Sequence, residues 1–197
     1  MTLKKQYTSF TSRRGALIVE VVEKTRLKGF GWIISFPSYM VKTFEDYRRL
    51  FRRGGKIDRR LLEDLKVKGI VEDFAEINNL VVTAGKQYIG DLMIAAVSGS
   101  FTHCAVGSGT NTPTAGDTTL QTQTDRITVT DRYRSGADVH FDSFFDHNST
   151  ANGTTINETG VFTAASGGSM YNRSIVTPGI AKTSSNTVTI AITGQWS

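Results

Sequence analysis

Cysteine is almost missing from this chain of 197 residues: Cys104 stands alone, so no internal disulfide can staple the fold, and a solitary Cys of this kind reads as a small buried hydrophobe rather than a nucleophile. Histidine is scarce as well. His103, His140 and His147 include no i, i+4 helical pair, and Cys104 adds none of the spacings of a zinc site. Long apolar runs are absent too. The run Ala16 to Val19 stops at Glu20, too short for a signal-peptide core, and Phe30 to Phe36 falls far below the ~20 residues that cross a bilayer. These features lead us to expect a soluble protein made in a cytoplasm, with no membrane partner. Without secretion, Asn148-Ser149-Thr150 and Asn157-Glu158-Thr159 read as polar turn residues rather than glycosylation acceptors.

Catalytic signatures are equally thin. Gly107-Ser108-Gly109-Thr110 lacks the lysine and the following helical pattern of a phosphate-binding loop, and reads as a turn. There is no Gly-x-Ser-x-Gly elbow, no His-Glu-x-x-His and no recognisable set of nucleophile, base and orienting group. His140, Asp142, Asp146 and His147 cluster in sequence; a weak divalent site is one reading of them, a solvated strand edge and turn the commoner one. Asp142 and Asp146 are also a carboxylate pair of the type glycosidases use, but nothing in the sequence raises the pKa of either. The chain is therefore read as non-enzymatic, with no catalytic, cofactor or metal residue assigned.

What the sequence does contain is a sharp division of charge. Residues 1–73 hold 17 Lys and Arg against 9 Asp and Glu, whereas the remainder holds 6 against 9. A basic half beside a mildly acidic one aims a positive face at something negative, either nucleic acid or acidic protein. The hydrophobic content of 39% is ordinary for a globular chain and sufficient for a buried core.

Within the basic half, ALIVEVV (16–22) and FGWIISF (30–36) are rich in β-branched and aromatic residues and predict two short strands. Pro37 closes the second, and Ser38 is expected to cap a helix whose apolar face is Met40, Phe44, Tyr47 and Phe51. Gly54-Gly55 is expected to end it. A second helix is predicted from an Asp58 cap with Leu61, Leu62 and Leu65 inward, broken at Gly69. A short strand at Leu80 to Val82 and a third helix after Thr83, with Tyr88, Ile89, Leu92, Met93 and Ala96 on one face, complete this part.

After Ser98 the chain turns to Thr, Ser, Gly and Asn, and helical periodicity disappears. Alternation predicts strands at Ile127 to Tyr133, Val139 to Phe145 and Thr187 to Thr193, where Val188, Ile190 and Ile192 share a face. Shorter strands fit Phe101 to Val106, Glu158 to Ala164 and Met170 to Thr177. Turns are expected at Ser166-Gly167-Gly168-Ser169 and at Pro178-Gly179. The predicted fold class is α+β, with N-terminal strands and amphipathic helices followed by an antiparallel, jelly-roll-like β-sandwich. The domains are drawn as a basic docking region (1–79) and a helix plus β-sandwich (80–197).

The strongest candidate surface is the arginine-rich stretch Arg48, Arg49, Arg52, Arg53, Lys56, Arg59 and Arg60, interleaved with Tyr47 and Phe51. Such a cluster can bind phosphates in a salt-dependent way. Glu45, Asp46, Asp58, Glu63 and Asp64 interrupt it, which favours a protein interface over nucleic acid. Tyr133, Phe144 and Tyr171 are candidate aromatics for a glycan site, with burial as the competing fate.

Two stretches resemble small tailed-bacteriophage virion proteins of the tail or tail-fibre type. One is VVTAGKQYIGDLMIAAV with FTHCAVGSGTNTPTAGDTTLQTQTDR, and the other is NGTTINETGVFTAASGGSMYNRSIVTPGIAKTSSNTVTIAITGQWS. The second is similar in its Glu-x-Gly-Val-Phe strand, its Ser-Gly-Gly-x-Met hairpin and its Lys-Thr-Ser-Ser terminal strand. Together they span Leu80 to Ser197. The resemblance implies a structural subunit of a virion assembled in the host bacterial cytoplasm, docked at the neck, tail or baseplate. Its implied partners are other virion proteins and further copies of itself in a symmetric assembly. A capsid decoration or head-fibre protein, a nucleic-acid-binding protein and a host-glycan receptor module are the alternatives.

Overall fold

A computed structural model of the chain describes residues 10–11, 17–18, 27–51 and 57–196. Two residues in each of β1 (Phe10–Thr11) and β2 (Leu17–Ile18) pair antiparallel. The rest of the strand expected at 16–22, the Gly54-Gly55 stop, and Arg52, Arg53 and Lys56 lie outside the described residues.

The main body is one nine-stranded sheet, antiparallel throughout, in the order β6-β5-β9-β10-β4-β3-β11-β8-β7. Its strands are β3 (Leu27–Pro37), β4 (Asp73–Val81), β5 (His103–Gly107), β6 (Gln123–Thr128), β7 (Asp131–Ser135), β8 (Asp138–Phe145), β9 (Thr154–Phe162), β10 (Met170–Lys182) and β11 (Asn186–Trp196). The helices are α1 (Phe44–Leu50), α2 (Arg59–Val67) and α3 (Thr83–Met93). The two outermost strands, β6 and β7, are consecutive in the chain. At the corner between them Val129 N–H donates to Thr102 O at 2.8 Å and Thr130 N–H to Asp142 O at 2.9 Å, so one residue bonds to each side and the sheet curls until its edges meet. The expected single strand Ile127 to Tyr133 is thus two strands, broken where the chain turns this corner.

Curling gives the sheet an inside. Ile33 from β3, Ile77 from β4, Val106 from β5, Phe145 from β8, Ile156 from β9 and Ile190 from β11 belong to one buried cluster. The alternation of β11 places Val188, Ile190 and Ile192 in this core as the sequence predicts, yet Thr187 and Thr189 are buried as well. The reason is a second layer: α1 and α2 lie on the outer face, where Trp32, Ile34, Phe36, Tyr47, Phe51 and Leu62 form their own cluster. Thr187 Oγ1 donates to Val41 O at 2.9 Å beneath it.

The helices differ in how well the sequence announces them. α2 has Asp58 as its N-cap, accepting from Leu61 N–H, and Gly69 follows it with φ +70°, as predicted. The cap of α1 falls five residues later than expected. Thr43, not Ser38, caps it in a reciprocal capping box with Asp46, because Ser38 is engaged in a turn bonded to Ser185 O and Met40 is exposed. α3 packs Tyr88 and Ile89 against the main core, whereas Met93, expected on that face, is exposed.

Two further corrections concern connections. Pro178-Gly179 is not a turn before the last strands but lies within β10, where the pairing with β9 shifts register between Ile175 and Ile180. Proline cannot donate to a ladder and is tolerated in strands at such bulges; the turn is instead at Thr183 to Asn186, where Asn186 N–H meets Thr183 O. The boundary drawn between residues 79 and 80 falls inside β4, which with β3 occupies the middle of the sheet between β10 and β11. Of the expected Leu80 to Val82 strand, Leu80 and Val81 are only the end of this nine-residue element, and Val82 is the N-cap of α3.

Candidate functional site

The arginine-rich stretch divides between two helices of the outer layer. Arg48, on α1, reaches down to Asp131 at 3.6 Å, and Arg49 lies 3.4 Å from Asp46 one turn earlier on the same helix. Arg59, at the start of α2, pairs with Glu76 at 3.9 Å and sits over the Phe74 ring. Arg60 is exposed. Exposed pairs of this kind stabilise by about 0–1 kcal/mol, so their importance is in the charge pattern they leave on the surface. That surface is mixed: Glu45 and Glu63 are exposed among the arginines.

On the sheet's outer face beyond the end of α1, the strand registers fix which side chains stand together. In one row Trp32, Ala191, Asp142 and Asp131 stand side by side across β3, β11, β8 and β7; in the next stand Phe30, Thr193, His140 and Tyr133. Asp131 and Asp142 are direct cross-strand partners, an arrangement that like charges make unfavourable, and Arg48 offsets it from above. Ala191 is the smallest side chain in its row and leaves a hollow between Trp32 and Asp142. Tyr47, Phe51 and Ile57 wall it on the helical side, and Ser135 and Asp138 stand at the strand ends, enclosing about 250 Å³.

Its walls are held firmly. The Trp32 indole N–H donates to Ile57 O at 3.1 Å. Tyr133 and His140 stack with centroids 4.5 Å apart and planes 7° from parallel, and His140 Nδ1 lies 3.1 Å from Thr193 Oγ1. Burial lowers the His140 pKa below its ordinary value, with Asp138 opposing. Tyr47 is pushed well above the usual tyrosine range, first by burial and then by Asp142 and Tyr133 beside it.

Compared with protein-family models, with curated proteins and with solved structures, the chain matches none. Its chemistry has to be read from the geometry.

The other sequence candidates are dispersed. Phe144 packs edge-on to Phe44 in the outer cluster and Tyr171 is buried against Phe101 and Phe141, so of the three aromatics suggested for a glycan site only Tyr133 borders the groove. Asp142 and Asp146 occur on β8 and in the turn after it; Asp146 Oδ1 accepts from Asn148 N–H and His147 O from Asn152. His140 and Asp146 are six residues apart, about 20 Å along an extended chain. Among the described residues no group of three or more His, Cys, Asp or Glu side chains is placed to hold a metal ion.

What the sequence reading missed is a buried charge network and the groove itself. Arg173 and Glu158 are both buried, 2.8 Å apart, and Arg173 also reaches Asp117 at 2.7 Å. Glu158 accepts from the backbone N–H groups of Gly109, Gln121 and Thr122 at 3.2, 3.0 and 2.7 Å, pinning the long loop between β5 and β6. Burial works against ionisation of Asp117, but hydrogen bonds from Thr114 and Arg173 outweigh it and lower its pKa. This network is structural in its geometry: its members bond one another and the loop backbone.

Proposed function

We propose that this protein is a non-enzymatic structural subunit of a tailed bacteriophage virion, docked at the neck, tail or baseplate through its basic outer layer and built from repeated copies. The sequence resemblance over Leu80 to Ser197 supplies the class. The curl of the sheet around one core supports taking the fold as a jelly-roll-like antiparallel sandwich, a scaffold suited to display and assembly. The observation that carries the docking reading is the outer helical layer. Arg48, Arg49 and Arg59 are already met by carboxylates of the same chain, while Arg60 is exposed on the same layer as Glu45 and Glu63. Such a mixed pattern suits a protein neighbour, whose charges can alternate too, better than the uniformly negative backbone of nucleic acid. Symmetric repetition would convert weak single contacts into a firm attachment.

Electron cryo-microscopy of the purified particle tests this. The expected result is density for the chain in a symmetric ring or spike, with α1 and α2 against a neighbouring protein. Absence from the particle, together with DNA binding that falls steeply with added salt, would replace the proposal with a nucleic-acid role.

A further inference from the structure

We propose that the side chains of Lys182 and Asn152 join in an intramolecular isopeptide bond, with loss of ammonia. The inference rests on this pair alone and is independent of the virion reading. The two residues meet at the open end of the β9–β10 hairpin, where Lys182 ends β10 opposite Thr154, the first residue of β9. Asn152 precedes that strand in the turn after β8. Lys182 is fully buried, and its Nζ donates to Asn152 Oδ1 at 2.7 Å. A carbonyl bond adds about 1.2 Å, so Nζ lies at most about 4 Å from Asn152 Cγ. A shift of less than about 1 Å brings it to the roughly 3–3.5 Å from which an oriented nucleophile attacks. The carboxamide is held at both of its ends, since Asn152 Nδ2 donates to His147 O at 2.7 Å. The nitrogen that competes for the same carbon by closing a succinimide is that of Gly153, and it is engaged with Lys182 O at 2.8 Å.

The chemistry needs a neutral amine. Burial lowers the Lys182 pKa to about 8, against the opposing charges of Asp146 and Asp125, and a desolvated lysine of this kind is an activated nucleophile. Among the described residues no carboxylate bonds the amine. Asp125 accepts from Ser149 Oγ and Thr150 N–H, Asp146 from Asn148 N–H, and Glu72 from Asn186 Nδ2. The amine's remaining partners are the carbonyls of Thr183 and Asn186. Once the ammonium has given its proton to water, the Nζ lone pair attacks Cγ and the carbonyl π pair moves to Oδ1. A proton passes from Nζ to Nδ2 through solvent water beside the half-buried Asn152. The Oδ1 pair then re-forms the carbonyl, the Cγ–Nδ2 bond breaks and ammonia leaves. The product is an Nζ–Cγ amide, and nothing is oxidised or reduced. Until the bond forms Lys182 titrates as a free amine; afterwards neither side chain can ionise. In a chain that cannot form an internal disulfide, the bond ties the turn after β8 covalently to the end of β10.

Tryptic peptide mapping by mass spectrometry tests this on the full chain, after the folded protein has stood for a week at about pH 9 and at about pH 6. Trypsin cuts after Arg134, Arg173 and Lys182, so an unreacted chain gives 135–173, 174–182 and 183–197 as separate peptides. The bond blocks cleavage after Lys182. Residues 135–173 should therefore appear joined to 174–197, lighter by one ammonia than the two together. Conversion at about pH 9 should outpace that at about pH 6 by roughly tenfold or more, because the neutral amine is the reacting form. Lys182→Arg and Asn152→Ala, with folding checked by circular dichroism, should give no joined product. Wild-type chain kept unfolded in guanidinium chloride should give none either, and that contrast decides if neither variant folds. Absence of the joined product from the folded wild-type chain after the week at about pH 9 would overturn the proposal. Ammonia loss confined to the 135–173 peptide would overturn it in favour of a succinimide at Asn152–Gly153. A joined product that forms as fast in the unfolded chain would overturn it as well. None of these outcomes bears on whether the chain is found in a particle, which microscopy decides separately.

Discussion

At the scale of single residues, the groups with most effect on stability are the charges the sheet has buried. Arg173 is 1% exposed and Glu158 fully buried, so removing one leaves the other's charge without its partner. Arg173→Met is expected to cost about 3–5 kcal/mol, read as a lowered urea midpoint. Arg173→Met/Glu158→Gln should cost less than the sum of the single changes, because the second removes the orphaned charge. Lys182 is buried with its ammonium donating to Asn152 Oδ1, Thr183 O and Asn186 O at 2.7, 2.8 and 3.0 Å. Burial still lowers its pKa to about 8 from 10.5. Between those values the unfolded chain holds the proton that the folded one has lost, so this group makes stability rise with pH. Cys104 does the opposite: burial raises its thiol from 9.0 to about 11, and above pH 9 the unfolded chain ionises first. Tyr171, raised by burial from 10.0 to about 12, adds to that loss above pH 10. Urea midpoints should therefore climb from about pH 8 to 9, level off, and fall beyond about 10; Lys182→Met should abolish the climb and leave the fall.

At the scale of elements, caps and close approaches decide where the helices sit. α1 is only seven residues long, too short to persist without its packing and its cap. Thr43→Ala removes the side chain that accepts from Asp46 N–H and should cost about 1 kcal/mol, measured by chemical denaturation. α3 lies against β10 through Gly85. A Cβ there would come within 2.4 Å of Tyr171 O, and the helix start is held to that carbonyl by Val82 N–H at 3.1 Å. Gly85→Ala is thus expected to push α3 away and cost about 1–3 kcal/mol, with hydrogen exchange accelerated in α3 and at Tyr171 more than in β11. Loop chemistry explains one success of the sequence reading: Gly167 and Gly168 both have positive φ, +60° and +73°, which glycine adopts without strain. They sit within the longer 163–169 connection of β9 to β10, closed by Thr163 N–H to Ser169 O and Ser169 N–H to Thr163 Oγ1.

At the scale of the molecule, the sheet cannot be cut where the charge changes sign. β3 pairs with β11 along eleven residue partners, and β4 bridges β3 to β10. A fragment of residues 80–197 would lose both central strands and expose the unpaired edges of β10 and β11 together with Ile190 and Ile192. It is expected to aggregate or remain without fixed tertiary structure, judged by the dispersion of its amide NMR spectrum against that of the full chain. A fragment that folds with native dispersion would show that the N-terminal strands are dispensable additions.

Local pattern was enough to read most elements. The alternation in β8 and β11 marks strands because successive side chains point to opposite faces, and Asp58 before a leucine stripe marks α2 because a short acidic side chain satisfies free N–H groups at a helix start. The composition shift after Ser98 likewise marks the stretch that holds seven of the nine sheet strands. Tertiary structure alone decided which strands became neighbours, since those choices depend on burying one face of distant segments together. It placed β3 and β4 at the centre, absorbed Pro178 into a bulge and brought Arg173 to Glu158 and Asp117. The groove belongs to the same class. Trp32, Tyr133 and Ala191 carry no common motif and are far apart in the chain, and only the curl and register of the sheet set them around one hollow.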